Sequence, residues 1–126
     1  MFLTKQAWRD KLDKGIVVIA QNNATHNYVE QAIVLAMSVK KTNNIPVSIM
    51  TNDTVPKEYV KFFDKIIPIA WSDMSEDSDW KIENRWKVYH ITPYDHTIVM
   101  DVDMLVLHDI THWWTELKKR DLFFVS

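Results

Sequence analysis

The chain has 126 residues, 47% of them hydrophobic and 12% aromatic, which is ample for the core of one domain and too apolar for a disordered segment. Its formal net charge of −2, with acids and bases interspersed, leaves no footprint for nucleic acid or an anionic membrane. With no cysteine a disulfide scaffold and thiolate metal sites are excluded, no apolar run reaches transmembrane length, and the N-terminus turns polar too early for a secretory signal, so a cytoplasmic protein is expected.

Residues 1–14 are amphipathic and read as an N-terminal arm or short helix, with Lys5, Lys11 and Lys14 on a solvated face. The α/β domain is expected over residues 15–126. Gly15-Ile16-Val17-Val18-Ile19-Ala20 is a continuous β-branched run, the pattern of a parallel strand buried on both faces. Gly15 is the only glycine, so the chain cannot build a glycine-rich phosphate loop, and a nucleotide must be held through metal and side chains.

Gln21 to His26 forms a polar loop. Asn27 and Glu30 have capping-box spacing, and Tyr28, Val29, Ala32, Ile33, Ala36, Met37 and Val39 give the following helix a wide apolar stripe. That helix is expected to end near Asn43-Asn44, before Pro46. Val47-Ser48-Ile49-Met50 then reads as a strand, and a helix from Pro56 should turn Tyr59, Val60 and Phe63 inward. Ile66-Ile67-Pro68-Ile69 reads as a third strand, at an edge because of its proline.

The loop from Trp71 to Trp80 carries four acids, Asp73, Glu76, Asp77 and Asp79, and reads as a solvated connection, with a lid over a ligand as the alternative. A helix is expected from Trp80 to Ile91. Ile82, Trp86 and Tyr89 define its buried stripe; Arg85 lies about 60° from the stripe's centre and can reach inward, whereas Lys87 points to water. An inward arginine needs an anion, either a diphosphate or a local acid.

Thr97 to Leu107 reads as one buried strand with Asp101 and Asp103 embedded in it. Both carboxylates then share a face, their Cβ atoms roughly 6.5 Å apart. At a dielectric near 20 they repel by about 2.5 kcal/mol, which calls for a cation between them. Oxygen donors suit Mn²⁺ or Mg²⁺, which in turn prefers phosphate oxygens. The alternative is that the chain leaves the sheet at Asp101 and the carboxylates are solvated turn residues.

Beyond it, Asp109 can cap a helix whose Ile110, Trp113, Trp114 and Leu117 face the core. His108 and His112 have HxxxH spacing but lack the glutamate of a zinc protease, and His90 and His96 have no partner pattern. Asp121 to Ser126 is a further apolar strand.

Strands alternating with helices imply a Rossmann-like, mostly parallel sheet with helices on both faces. Ligands in such sheets bind beyond the carboxyl ends of the strands where the order reverses. If the first and fourth strands of this series straddle that point, the Gln21–Tyr28 loop and Asp101/Asp103 line one crevice. Gln21, Asn22 and Tyr28 are then binding candidates, and Tyr28 stacks on a base or packs in the core.

The Asp101-Val102-Asp103 motif, the Asn27-Tyr28-Val29-Glu30-Gln31-Ala32 segment and residues Val47 to Ile69 together resemble the N-terminal half of a GT-A glycosyltransferase of family 8, the glycogenin-like group. The resemblance covers about residues 15–126. It implies a metal-dependent hexosyltransferase, retaining in stereochemistry, that moves a sugar from a nucleotide-diphosphate donor, a UDP-sugar, to the hydroxyl of an unidentified acceptor. Asp101 and Asp103 match the family's Mn²⁺ ligands, the backbone at Val102 its ribose neighbour, and Tyr28 its base-stacking tyrosine. Arg85 stands where the family has a lysine near the diphosphate. The family's histidine metal ligand and acceptor site come from a later segment, so the domain is expected to be incomplete at its C-terminus, a donor-binding half and a poor transferase by itself. The alternatives are a haloacid-dehalogenase-like phosphatase, with Asp101 as nucleophile, and a non-catalytic nucleotide-sugar binding module.

Overall fold

The computed structural model describes residues 2–4, 12–69, 91–117 and 122–123. The expected acidic loop, Arg85 and the helix expected to carry it, except Ile91, lie outside the described residues. The strands are β1 (Phe2–Thr4), β2 (Leu12–Ile19), β3 (Val47–Met50), β4 (Ile66–Ile67), β5 (Tyr94–Met100) and β6 (Leu122–Phe123). They form one sheet in the order β4-β3-β2-β5-β1-β6. β4, β3, β2 and β5 run parallel, and β1 is antiparallel to both β5 and β6. The segment read as an arm or helix thus holds a strand, β1, and the first residues of β2.

Side chains alternate along β2, and both sets are buried. Ile16 and Val18 join Val47, Ile49, Ile98 and Met100 on the face covered by helix α1 (Tyr28–Thr42). Val17 joins Met50, Tyr94 and Val99 on the other, where the helical residue Ile91 also packs. Burial on both faces is why β2 reads as an uninterrupted apolar run. Helix α2 (His112–Leu117) contributes the buried Trp114 to the α1 side. Among the described residues no helix is long and apolar enough to cross a membrane.

α1 ends at Thr42 with Asn43 as its C-cap, as its pattern predicts, but Met37 lies outside the buried stripe at 43% exposure and Leu35 lies within it. The expected helix after Pro56 is a 3₁₀ helix (Lys57–Phe62), and it leaves Tyr59 and Val60 exposed while Phe63 is buried. The tighter turn moves side chains onto three rows, so inward positions read at 3.6 residues per turn do not hold. β4 is two residues long, lies at the sheet edge and ends before Pro68, in keeping with the edge reading.

β5 stops at Met100, so the expected strand to Leu107 is shortened. Asp101 to Met104 form a turn, closed by the Met104 N–H donating to the Asp101 carbonyl at 3.3 Å. The following segment finds its backbone partners among side chains at the end of α1. The Val106 N–H donates to Ser38 Oγ at 2.9 Å, and Asn43 grips two groups, donating to the His108 carbonyl at 3.0 Å and accepting from the Ile110 N–H at 2.8 Å. With its backbone satisfied in this way the segment needs no neighbouring strand. Val106 and Ile110 are buried, whereas Leu105 and Leu107 are exposed.

Gly15 is paired with Thr97 across β2 and β5, and a Cβ placed on it would clash with Cε2, Cζ and Cδ2 of the Tyr94 ring. That ring is held in place by a 2.6 Å hydrogen bond between the Tyr94 and Ser48 hydroxyls. Gly15→Ala is therefore expected to destabilise the fold by about 1–3 kcal/mol through overpacking, read from urea unfolding.

Burial raises the Tyr94 phenol well above its usual range, with the Ser48 hydrogen bond opposing and Asp64 adding to the shift. The native state keeps a proton that the unfolded chain releases. This share of stability is intact below about pH 10 and is lost as pH rises further. In Tyr94→Phe that alkaline loss should diminish relative to the wild type, as measured by thermal unfolding at stepped pH.

Candidate functional site

β2 and β5 are parallel neighbours at the point where the strand order reverses, so the loops that leave their carboxyl ends lie side by side. Between them opens a groove of about 620 Å³. One wall is built by Thr25, His26 and Asn27 with Glu30, Gln31 and Val34 of α1; the other by Val102, Asp103, Met104 and Leu105.

The first wall is set by side-chain caps. Asn27 Oδ1 accepts the Glu30 N–H at 3.1 Å, and Asn22 Oδ1 accepts the Val29 N–H at 3.0 Å. Asn22 is itself held by its own N–H, which donates to Asp53 Oδ2 at 2.7 Å. Asp53 follows β3, so the loops after β2 and β3 and the start of α1 are tied through one asparagine. Two amides of the first turn of α1 are engaged by this arrangement and are not offered to an anion.

The loop is further shaped by Asn23, whose Oδ1 accepts the N–H groups of Thr25 and His26 at 2.9 and 2.8 Å. The His26 ring stacks on Tyr28, centroids 5.5 Å apart and planes 15° from parallel. Tyr28 is half-buried and packs against the α1-side core.

The second wall is the turn after β5. Asp101 and Asp103 are both exposed, and Val102 between them is half-buried against the core. Val102 therefore anchors the turn while the carboxylates face water. The turn, and not strand alternation, decides where the two carboxylates point. Farther on, Asp109 Oδ1 accepts the Thr111 N–H at 2.8 Å, and hydrogen bonding from Thr111, its hydroxyl first and its N–H second, holds the Asp109 carboxyl below its usual range; the expected cap is thus a turn just ahead of α2 and does not reach the amides of the helix itself.

Of the residues singled out by sequence, Val102 and Asp103 line the groove, and Asp101 opens the same turn. Gln21 and Asn22 are half-buried at the base of the first loop and outside the lining, with Asn22 engaged as a structural tie. Tyr28 lies behind His26, which takes the lining position. His26 and Glu30 were missed as groove residues. Their signal was positional, since they flank the cap Asn27 and the first turn of the helix that follows a switch-point strand.

Among the described residues no cluster of three or more histidine or acidic side chains is arranged to hold a metal ion. The donor set of Asp101 and Asp103 nonetheless fits a hard cation such as Mg²⁺, which is commonly bound by one or two carboxylates and completes its shell with water and substrate phosphates. Among the described residues that line the groove none is a lysine or arginine.

No protein-family model matches the chain, and no curated protein sequence matches it.

Asn22→Ala should leave the Val29 N–H without its cap and loosen the first wall. The expected outcome is a loss of about 1 kcal/mol and faster hydrogen exchange at Val29, with β3 amides unchanged; uniform loss of protection across β3 would contradict a local tie.

Proposed function

We propose that the chain binds a nucleotide-diphosphate sugar, a UDP-sugar, as the donor part of a metal-dependent glycosyltransferase with a GT-A fold of the family 8 kind. The observation that carries this reading is the switch-point groove, walled by Asp103 and, among the described residues, lined by no lysine or arginine. A diphosphate brought beside Glu30 and Asp103 meets like charge, so a cation held by Asp101 and Asp103 is the means of accommodating it. Such an ion, Mn²⁺ or Mg²⁺, supplies positive charge to the diphosphate as it leaves.

The chain's own residues have simpler parts. Val102, packed against the core, fixes the turn that carries both carboxylates, and its backbone is the candidate neighbour of the ribose. Asn22, Asn27 and Asp53 hold the facing wall in shape through their hydrogen bonds to the first loop and the start of α1. Arg85 is the candidate for a second positive charge on the diphosphate. In the reaction the bond from the anomeric carbon to the diphosphate oxygen breaks, a bond to the acceptor oxygen forms, and the acceptor hydroxyl releases its proton. Retention of configuration and a hexose as the transferred sugar come from the resemblance alone.

One observation favours a second reading. β5 ends at Met100 and Asp101 begins a turn, as a phosphatase nucleophile at the end of a strand requires. Hydrolysis of p-nitrophenyl phosphate without turnover of any UDP-sugar would select it.

Calorimetry with UDP tests the main reading. Binding is expected only with Mn²⁺ or Mg²⁺ present and should disappear on chelation. Asp103→Ala should weaken metal-dependent binding roughly tenfold or more, and an unchanged affinity in that variant would remove the carboxylates from the site.

A further inference from the structure

We infer that His26 is a hydrogen-bond acceptor for a ligand hydroxyl in this groove, held for that task in its Nδ1–H tautomer by Thr25. The inference rests on the nucleotide-sugar reading for the identity of the ligand and on hydrogen-bond directions for the tautomer. Asn23 Oδ1 takes two backbone N–H groups, so it is oxygen and an acceptor only. The Thr25 hydroxyl lies 3.0 Å from it and donates its single hydrogen there. Thr25 Oγ1 also lies 2.8 Å from His26 Nδ1, and with its hydrogen committed it can only accept at that contact. The proton of the neutral ring is therefore on Nδ1, and Nε2 carries a lone pair.

Three features make this more than an exposed histidine. The ring is oriented twice, by Thr25 at its edge and by Tyr28 against its face. It lines the groove opposite Asp103. Among the described residues the ring's partners are Thr25 at Nδ1 and Tyr28 at its face, and none engages Nε2. A pre-oriented acceptor costs little entropy on binding, and a sugar hydroxyl is the donor that a nucleotide sugar brings. That hydroxyl belongs either to the ribose or to the transferred sugar.

The tautomer is tested without ligand. Two-bond proton–nitrogen correlation spectra at about pH 8, above the ordinary imidazole range, should show His26 protonated at Nδ1, and Thr25→Val should shift it toward Nε2–H. An Nε2–H ring in the wild type overturns the inference. Binding is then measured by calorimetry at the same pH with Mg²⁺, using UDP and UDP-glucose against wild type and His26→Phe, a variant that keeps a flat ring on Tyr28 and should melt as the wild type does. A loss of about fivefold, the size of one neutral hydrogen bond, is expected. Equal loss for both ligands places the hydroxyl on the ribose, and loss confined to UDP-glucose places it on the sugar. Metal-dependent UDP binding with no loss for either ligand overturns the role of His26 and leaves the nucleotide-sugar reading standing. No metal-dependent binding by the wild type overturns both.

Discussion

The parallel pairing of β2 with β5 is the constraint on which the rest depends. Its register sets Ile16, Val17 and Val18 opposite Ile98, Val99 and Met100, and so brings two chain exits to one side of the sheet. One exit leads through the Asn22–Asn27 loop into α1, the other directly into the carboxylate turn. The close approach that this pairing demands is visible at Gly15, where only a hydrogen fits beneath the Tyr94 ring. Absence of a side chain in β2 is thus coupled to the presence of a large one at the start of β5.

Electrostatics gives the groove its character. Its polar groups are carboxylates, amides, a hydroxyl and an imidazole, and its apolar portion comes from Val34, Val102, Met104 and Leu105. Such a lining receives hydroxyl groups readily and polyanions poorly. The two carboxylates of the turn are exposed, so their mutual repulsion is weakened by water.

Much of the α/β arrangement was legible because short-range patterns carried it. The β-branched run at Gly15–Ala20, the Asn27 cap and the Pro68 edge signal each state a local requirement that the structure meets. The groove was half legible. Asp103 and Val102 could be found because carboxylates inside an apolar run are anomalous. The turn at Asp101 stood only as the alternative reading, since Met104 to Leu107 read as strand while the backbone partners of Val106, Ser38 and Thr42, lie more than 60 residues earlier. Periodicity set Tyr28 on the inward stripe of α1 but could not tell that His26, two residues earlier, lines the groove. That order follows from Asn23 drawing the loop into a compact turn, a contact between neighbours that helical or strand spacing does not encode.

The grip of Asn43 on His108 and Ile110 also bears on how the protein is made. It joins positions 65 and 67 residues apart, on the stretch that follows β5, the strand seated between β1 and β2. During synthesis the first βαβ unit is complete well before the ribosome reaches Asp101. The ordering of the carboxylate turn is then a late event, limited by closure of a long loop and not by formation of α1.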